Sequence, residues 1–251
     1  MSAEVVVHDS AEVLAAATAA RLITALVDAQ SARGTASVVL TGGGTGIRIL
    51  EEVRRSPARD AVRWDHVEFF WGDERFLPAG DPERNETQAR QALLDHVGVD
   101  PERVHPMAAS DGKFGDDVDA AALHYAEVLA ATARPATDVE VPVFDVLLLG
   151  VGEEGHTASL FPGTPEVRED ARTTAAVRDC PKPPPTRVSL TLPAIRAARE
   201  VWLVTAGAGK ADPVTAALGG AEPAEIPAAG AVGRDRTRWL LDRDAAAHLA
   251  S

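Results

Sequence analysis

A histidine at the end of a glycine-rich turn is the residue of this sequence best suited to acid–base chemistry. The turn spans residues 150–156, with the sequence GVGEEGH, and it follows the apolar run 143–149. Such a run is typical of a strand buried on both faces, and ligands of open α/β sheets bind where the strands end. Because imidazole has an ordinary pKa of about 6.5, we predict that His156 exchanges protons with a substrate.

Two other interpretations of this turn compete with that prediction. In the first, His156 caps or packs instead, although a titratable ring flanked by glycines has little to pack against. The three glycines of the turn also match the dinucleotide fingerprint, which requires a long following helix and an acid about 20 residues on. The sequence FPG at 161–163 ends any helix after about two turns, and Glu169 and Asp170 come only after that break. We therefore expect no nicotinamide cofactor.

A second glycine-rich loop, TGGGTG at 41–46, is predicted to bind an anion. It follows the apolar run 37–40 and precedes a predicted helix over 47–55. Bare amides and the dipole at a helix start favour negative charge, and the two threonines add hydroxyl donors. A plain tight turn is the alternative, but a turn does not need so many glycines. The predicted anion ligands are Thr41, Gly42, Gly43, Gly44 and Thr45.

Charged residues follow two further predicted strands. Asp73 and Arg75 come after the apolar run 67–71, and Lys210 follows the run 201–205 and a Gly-Ala-Gly turn. Asp73 and Arg75 either hold sugar hydroxyls or a phosphate, or form a surface ion pair with each other. Lys210 is either a point charge for a phosphate or a solvated lysine. All four strand ends open onto one edge of a parallel sheet, so we expect a single site for a phosphorylated sugar.

Charge and composition exclude several classes of function. The 251 residues carry a net charge of −13, which disfavours binding to nucleic acid or to an anionic membrane. No apolar run approaches the roughly 20 residues that cross a bilayer, and the start of the chain lacks the pattern of a signal peptide. The single cysteine, Cys180, suits a reducing cytoplasm. We expect a cytoplasmic protein without a metal site, and the sequence is compatible with a monomer without indicating an oligomeric state.

The elements that position these residues alternate between strands and helices. This alternation, without an internal repeat or a break in composition, predicts one domain over residues 1–251. The predicted fold class is α/β, a doubly wound, mostly parallel, open Rossmann-like sheet with helices on both faces. The remaining predictions are strands over 5–7, 173–177, 186–192 (half-buried) and 238–241, and helices from a cap at Asp9 to Gly34, over 86–97, over 120–133 with Pro135 beyond it, over 193–199, after Lys210 and after a cap at Asp244.

Four segments resemble the signatures of the 6-phosphogluconolactonase family. They are TGGGT at 41–45, WGDER at 71–75, GVGEEGHTASLFPG at 150–163 and RVSLTLP at 187–193. The resemblance runs from residue 8 to residue 245 in the order of the family. It implies hydrolysis of 6-phosphoglucono-δ-lactone to 6-phosphogluconate, in the oxidative pentose phosphate pathway and without a cofactor.

The resemblance also implies roles for the catalytic residues. His156 is expected to activate water as a general base, and Asp73 to hold His156 or a substrate hydroxyl. Glu154 occupies a position where the family usually carries aspartate, and its expected role is to orient the site or the water. The amides of the turn that ends at Gly155 are expected to hold the developing oxyanion.

The resemblance places the phosphate at the 41–45 loop, with Arg187 and Lys210 clamping it and Arg75 joining them. Gly155 completes the set of residues expected to contact the substrate. Two alternatives remain open, an isomerase or deaminase of glucosamine 6-phosphate with a similar glycine–histidine turn, and a non-catalytic sensor of sugar phosphates. Release of ammonia from an amino sugar phosphate distinguishes the first, and the lack of a helix-turn-helix segment disfavours a DNA-binding sensor.

Overall fold

The centre of the protein is a six-stranded parallel sheet, as a computed structural model describing residues 3–133 and 140–249 shows. The strands of the chain are β1 (Glu4–His8), β2 (Ala36–Leu40), β3 (Val67–Trp71), β4 (Asp73–Arg75), β5 (Val146–Leu149), β6 (Thr174–Val177), β7 (Arg187–Leu190), β8 (Glu200–Thr205) and β9 (Arg236–Asp242). The central sheet has the order β1-β9-β8-β5-β2-β3, with parallel neighbours throughout. The predicted doubly wound, mostly parallel α/β fold is therefore confirmed.

Helices flank this sheet and share its apolar core. The helix α1 ends at Gly34, as predicted, because this glycine adopts a φ of 81° that few other residues tolerate. None of the described helices is long and apolar enough to cross a membrane. The helices are α1 (Ala11–Arg33), α2 (Gly43–Arg55), α3 (Asn85–Ala92), α4 (Val118–Thr132), α5 (Leu192–Arg196) and α6 (Ala211–Leu218).

The direction of winding reverses at β2. From β2 the chain proceeds to β3 on one side, and later to β5, β8 and β9 on the other. The crevice between the carboxyl ends of β2 and β5 is therefore the switch point of the sheet, where ligands of doubly wound folds bind. The two glycine-rich loops, which begin at Thr41 and Gly150, lie at this point.

A second, antiparallel sheet of order β4-β7-β6 was not predicted. Residues 73–75, expected as a loop, form β4 because their backbone pairs with β7. The predicted half-buried character of β7 is also wrong, since all four of its residues are buried. This small sheet holds Asp73, Arg75 and Arg187 in one register.

Two predicted helix boundaries and one predicted short helix are corrected. Ser10, not Asp9, caps α1, since the Ser10 hydroxyl accepts a hydrogen bond from the Val13 amide at 3.3 Å. Helix α3 ends at Ala92, where Leu93 leaves helical geometry. The residues after Asp244 form turns and no helix. Pro135 and the first two residues lie outside the described part of the chain.

Candidate active site

The carboxyl ends of β2, β3, β5 and β8 surround a cleft of about 330 Å³. The predicted convergence of the four loops is thereby observed. Residues of the segment 180–185 close one side of the cleft, which the sequence did not indicate. The lining comprises Thr41, Gly42, Gly43, Asp73, Arg75, Asn85, Gly150, Val151, Gly152, His156, Ala158, Lys182, Pro183, Arg187 and Lys210.

The start of α2 supplies the amides of the predicted anion site. The helix begins at Gly43, four residues before the predicted start, so Gly44 and Thr45 lie in its first turn. Gly42 at the cap position has no side chain, so the N–H groups of the first turn stay available to a ligand. A side chain at Gly42 would also collide with Asn85, whose Oδ1 lies 1.9 Å from the position of an added Cβ.

The turn between Gly150 and His156 is held by its own hydrogen bonds. The Gly152 amide donates to the carbonyl of His156 at 2.8 Å, and the Gly155 amide donates to the carbonyl of Gly152 at 3.0 Å. Thr157 donates from its hydroxyl to the carbonyl of Gly150 at 2.9 Å. The amides of Gly152 and Gly155 are thus engaged within the turn, and the prediction that amides of this turn hold an oxyanion stays a prediction for its other N–H groups. Gly155 instead supplies the positive φ, 86°, that the turn requires.

The imidazole of His156 faces the cleft and is mostly buried, with 17% of the side chain exposed. Its ring stacks on Phe161 with centroids 4.5 Å apart. Burial lowers the pKa of His156 below its usual value, the Lys182 charge acts in the same direction, and the Glu154 and Asp73 charges oppose it. The ring is therefore neutral at pH 7 and able to accept a proton.

Glu154 lies between His156 and Lys182. Its Oε1 is 3.1 Å from Nδ1 of His156, but the contact is not aligned as a hydrogen bond. Its Oε2 accepts a hydrogen bond from Nζ of Lys182 at 3.0 Å. Burial opposes ionisation of this carboxyl, yet its backbone hydrogen bond, Lys182 and His156 outweigh burial and lower the pKa of Glu154 to about 2. Glu154 is therefore a carboxylate across the physiological range.

Sequence reasoning missed Lys182. The signal was its rarity, because the chain contains three lysines among 25 basic residues, and two of the three, Lys182 and Lys210, line the cleft. The proline-rich segment around Lys182 indicated only a stiff connection. Nothing in the spacing of the sequence indicated that this segment lies beside the turn of Glu154.

Asp73 is buried in a polar network rather than paired with Arg75. Its Oδ2 accepts from the hydroxyl of Ser159 at 2.6 Å, and its carbonyl accepts from Nδ2 of Asn85 at 2.9 Å. Arg75 donates instead to the carbonyl of Glu83. Asp73 therefore acts on His156 through its charge, and Ser159 and Asn85 are further residues that sequence reasoning did not assign.

Glu74 fixes the position of Asn85. Its buried carboxyl accepts from the amides of Asn85 at 2.7 Å and Glu86 at 2.9 Å, which are the first N–H groups of α3. Burial raises the pKa of Glu74 to about 7, although nearby Arg84 and the backbone donors favour the charged form. Helix α3 thus starts against the cleft.

Arg187 supports the segment 180–185 more than it faces a ligand. Its Nη2 donates to the carbonyls of Lys182 at 3.1 Å and Pro183 at 3.2 Å, and its Nε donates to that of Pro184 at 3.2 Å. Its Nη1 lies 3.8 Å from Oδ2 of Asp73. Only part of the Arg187 guanidinium therefore remains available for the expected phosphate clamp.

Lys210 is the N-cap residue of α6, at the end of a loop that begins with Gly207. The Gly207 amide donates to both carboxylate oxygens of the buried Asp242, at 3.0 and 3.1 Å, which anchors this loop. Burial lowers the pKa of Lys210, and the charge of Lys182 lowers it further. Two ammonium groups thus lie within electrostatic reach of each other, an arrangement that an anion between them would stabilise.

Known proteins are similar to this chain over nearly its whole length. Residues 9–239 match the family model described as glucosamine-6-phosphate isomerases/6-phosphogluconolactonase. The 6-phosphogluconolactonase of Streptomyces coelicolor is 61% identical over 246 residues, covering 98% of this chain and 94% of that protein. That of Mycobacterium tuberculosis is 55% identical over 251 residues, covering 100% of both.

Solved structures show the same fold. The 6-phosphogluconolactonase of Trypanosoma brucei superposes with a TM-score of 0.86 at 29% identity, covering 99% of each chain. A monomeric glucosamine-6-phosphate deaminase superposes with a TM-score of 0.79 at 19% identity, covering 97% of this chain and 99% of that chain. At this identity, the comparison with the deaminase shows a common fold.

Proposed function

Because the chain belongs to the glucosamine-6-phosphate isomerase/6-phosphogluconolactonase family, we infer that it hydrolyses 6-phosphoglucono-1,5-lactone to 6-phosphogluconate. The observation that carries this inference is a neutral imidazole in the same cleft as a helix start and two lysines. A cyclic ester with a phosphate at its far end matches that arrangement. The chemistry requires water, a base and a phosphate anchor, all of which such a cleft accommodates.

In the proposed mechanism His156 is the general base. It takes a proton from water as the water oxygen attacks the carbonyl carbon of the lactone. The tetrahedral intermediate then breaks the bond between that carbon and the ring oxygen. Protonated His156 returns the proton to the departing oxygen, and the products are a carboxyl group and a free hydroxyl. Glu154 and Asp73 stabilise the imidazolium through their charges.

The phosphate anchor is proposed at the start of α2 with Lys210. The amides of the first turn, the hydroxyl of Thr41 and the ammonium group surround a dianion. Arg75 and Nη1 of Arg187 add positive charge at the same cleft. This local excess of cations offsets the overall charge of −13, which by itself repels an anionic substrate.

We also propose that residues 1–251 act as one domain in the cytoplasm, with the phosphorylated lactone as partner and no nucleic acid. The proposed site draws residues from Thr41 to Lys210, which argues against a division of the chain. The single cysteine suits a reducing compartment.

The direct test is acid release from freshly generated 6-phosphogluconolactone, measured above its spontaneous hydrolysis. We expect catalysed release with the lactone, and no ammonia from glucosamine 6-phosphate. Ammonia release without lactone hydrolysis would assign the chain to the other activity of the family. If the protein acted on neither substrate but bound a sugar phosphate tightly, the result would support the alternative of a non-catalytic sensor of sugar phosphates.

Lys210→Gln is expected to raise KM about 10- to 100-fold with little change in kcat. A hydrogen bond to a charged group contributes about 1.5–3 kcal/mol, and the phosphate is held equally in the ground and transition states. Steady-state kinetics over lactone concentration measure the effect. The matched control is Lys113→Gln. Lys113 is not among the residues that line the cleft, and its ammonium group lies over the ring of Phe114. A fall in kcat at unchanged KM would contradict the anchoring role of Lys210.

In the pH profile of kcat/KM, we expect the decline on the acid side, the acid limb, to have its midpoint below pH 6.5. The base must be neutral, and burial lowers the pKa of His156, so activity persists as the pH falls until that lowered pKa is reached. Glu154→Gln removes a charge that raises the pKa of His156, so its limb moves to still lower pH. Initial rates across pH, corrected for spontaneous hydrolysis, measure both limbs. A limb that moves to higher pH in Glu154→Gln would oppose this assignment.

A further inference from the structure

The two carboxylate oxygens of Glu154 have different partners, and only the contact with Lys182 is aligned as a hydrogen bond. Lys182 holds Oε2 by a hydrogen bond of 3.0 Å, while Oε1 lies 3.1 Å from Nδ1 of His156 without hydrogen-bond alignment. Nδ1 is buried and finds no aligned partner among the residues that the structure describes. A base whose second nitrogen lacks an oriented acceptor is incompletely positioned, since that hydrogen bond sets the tautomer and the ring orientation.

Lys182 is placed to contact a phosphate as well as Glu154. It lines the same cleft as Thr41, Gly43 and Lys210, and its charge is felt by Lys210. Its backbone is fixed, because Arg187 donates to its carbonyl, while 42% of its side chain is exposed. Partly exposed ion pairs of this kind are weak and easily exchanged. A phosphate dianion beside Lys210 is therefore a strong competitor for the ammonium group of Lys182.

We propose that Lys182 is a positioning residue that couples phosphate binding to the alignment of Glu154 with His156. In the free protein Lys182 holds the carboxylate at 3.1 Å from Nδ1 but out of hydrogen-bond alignment with it. When a phosphate occupies the anchor, Lys182 turns to it, and Glu154 is released to accept a hydrogen bond from Nδ1–H. The base is then oriented only when the correct substrate is bound. This inference rests on the proposed function and adds a mechanism for recognising phosphorylated over unphosphorylated lactones.

The charges that face His156 support this direction of coupling. Glu154 lies in its own turn, Lys182 approaches from the segment 180–185, and Asp73 from β4, while Phe161 covers the ring. Arg75, Arg187 and Lys210 line the rest of the cleft. When Lys182 moves from Glu154 to a dianion, the attraction between the Glu154 carboxylate and the His156 ring, 3.1 Å away, becomes stronger. The pKa of His156 therefore shows whether Lys182 is bound to Glu154 or to the phosphate.

The test is the titration of His156 by nitrogen-15 NMR, with its ring signal assigned by its loss in His156→Asn. In Lys182→Gln without ligand, we expect His156 to bind its proton about tenfold more tightly than in the wild type, a rise of about one pKa unit. Inorganic phosphate should raise the pKa in the wild type and add less in Lys182→Gln. Lys182→Met serves as a second variant, and amide spectra verify folding.

A double-mutant cycle with Glu154→Gln separates coupling from a simple charge effect. If Lys182 acts through Glu154, removing Lys182 changes the titration of His156 far less when Glu154 is already neutral. Equal effects in both backgrounds would overturn the proposal, as would an unchanged pKa in Lys182→Gln. The readout needs no turnover, so failure of the lactonase assay would refute the proposed function while leaving this coupling testable on its own.

Discussion

His156→Asn is expected to lower kcat by about 10²- to 10⁴-fold, the range that general acid–base catalysis contributes. The substitution removes the proton acceptor and leaves the phosphate anchor on α2 and Lys210 in place, so KM should change little. Initial rates of acid release from 6-phosphogluconolactone measure both constants, after subtraction of spontaneous hydrolysis. Activity that stays within a few fold of the wild type would remove His156 from the mechanism.

The matched control for this loss is His124→Asn. His124 lies on α4, where its ring contacts Phe114 and its Nδ1 lies 3.4 Å from a carboxylate of Glu127. Kinetics of this variant should equal those of the wild type. Because both variants exchange the same residue types, a loss specific to His156 reflects its position in the cleft.

Gly152→Ala is expected to reduce kcat nearly as much as loss of the imidazole. An added Cβ would lie 1.8 Å from Nδ1 of His156 and 2.7 Å from Oε2 of Glu154. Both neighbours are side chains that can swing away, so the fold should survive with a stability change of about 1 kcal/mol. The imidazole then leaves its catalytic position. Kinetics together with thermal unfolding measure the two effects separately.

Gly150→Ala provides the comparison within the same turn. An added Cβ at Gly150 meets nothing within 4 Å, and its φ lies outside the left-handed region. We expect near-normal stability and a much smaller loss of kcat than in Gly152→Ala, since Gly150 lines the cleft but its added Cβ does not displace His156. If Gly152→Ala retained full activity, or if both variants lost it equally, close approach of His156 to the backbone would not be what requires glycine at 152.

The central sheet could be predicted from the sequence because the residue pattern that indicates each strand lies within that strand. Buried parallel strands appear as continuous apolar runs, and β3 was predicted with its observed bounds, 67–71. Glycine-rich strand ends marked the loops that carry Thr41 and His156, and the rule that parallel strands end at one edge predicted that these loops meet. The resemblance to a known family supplied the reaction.

The second sheet and the network around it escaped prediction because their cause is not local. Strand β4 has three residues and exists through pairing with β7, more than 100 residues later in the chain. Asp73 and Arg75 are two positions apart in sequence, and surface pairing was a reasonable alternative, but the fold turns Asp73 towards Ser159 and Asn85. Short-range patterns contain no information about such partners.

What the amino-acid sequence alone determined is the class of fold, the glycine-rich loops and the imidazole beside them, since apolar periodicity and glycine content act through the backbone at each position. Tertiary structure decided which charges meet. It brought Lys182 to Glu154, engaged the amides of Gly152 and Gly155, and committed much of Arg187 to a neighbouring segment. Hydrogen bonds and ion pairs depend on distances of a few ångströms between residues remote in sequence, and only the folded chain sets those distances.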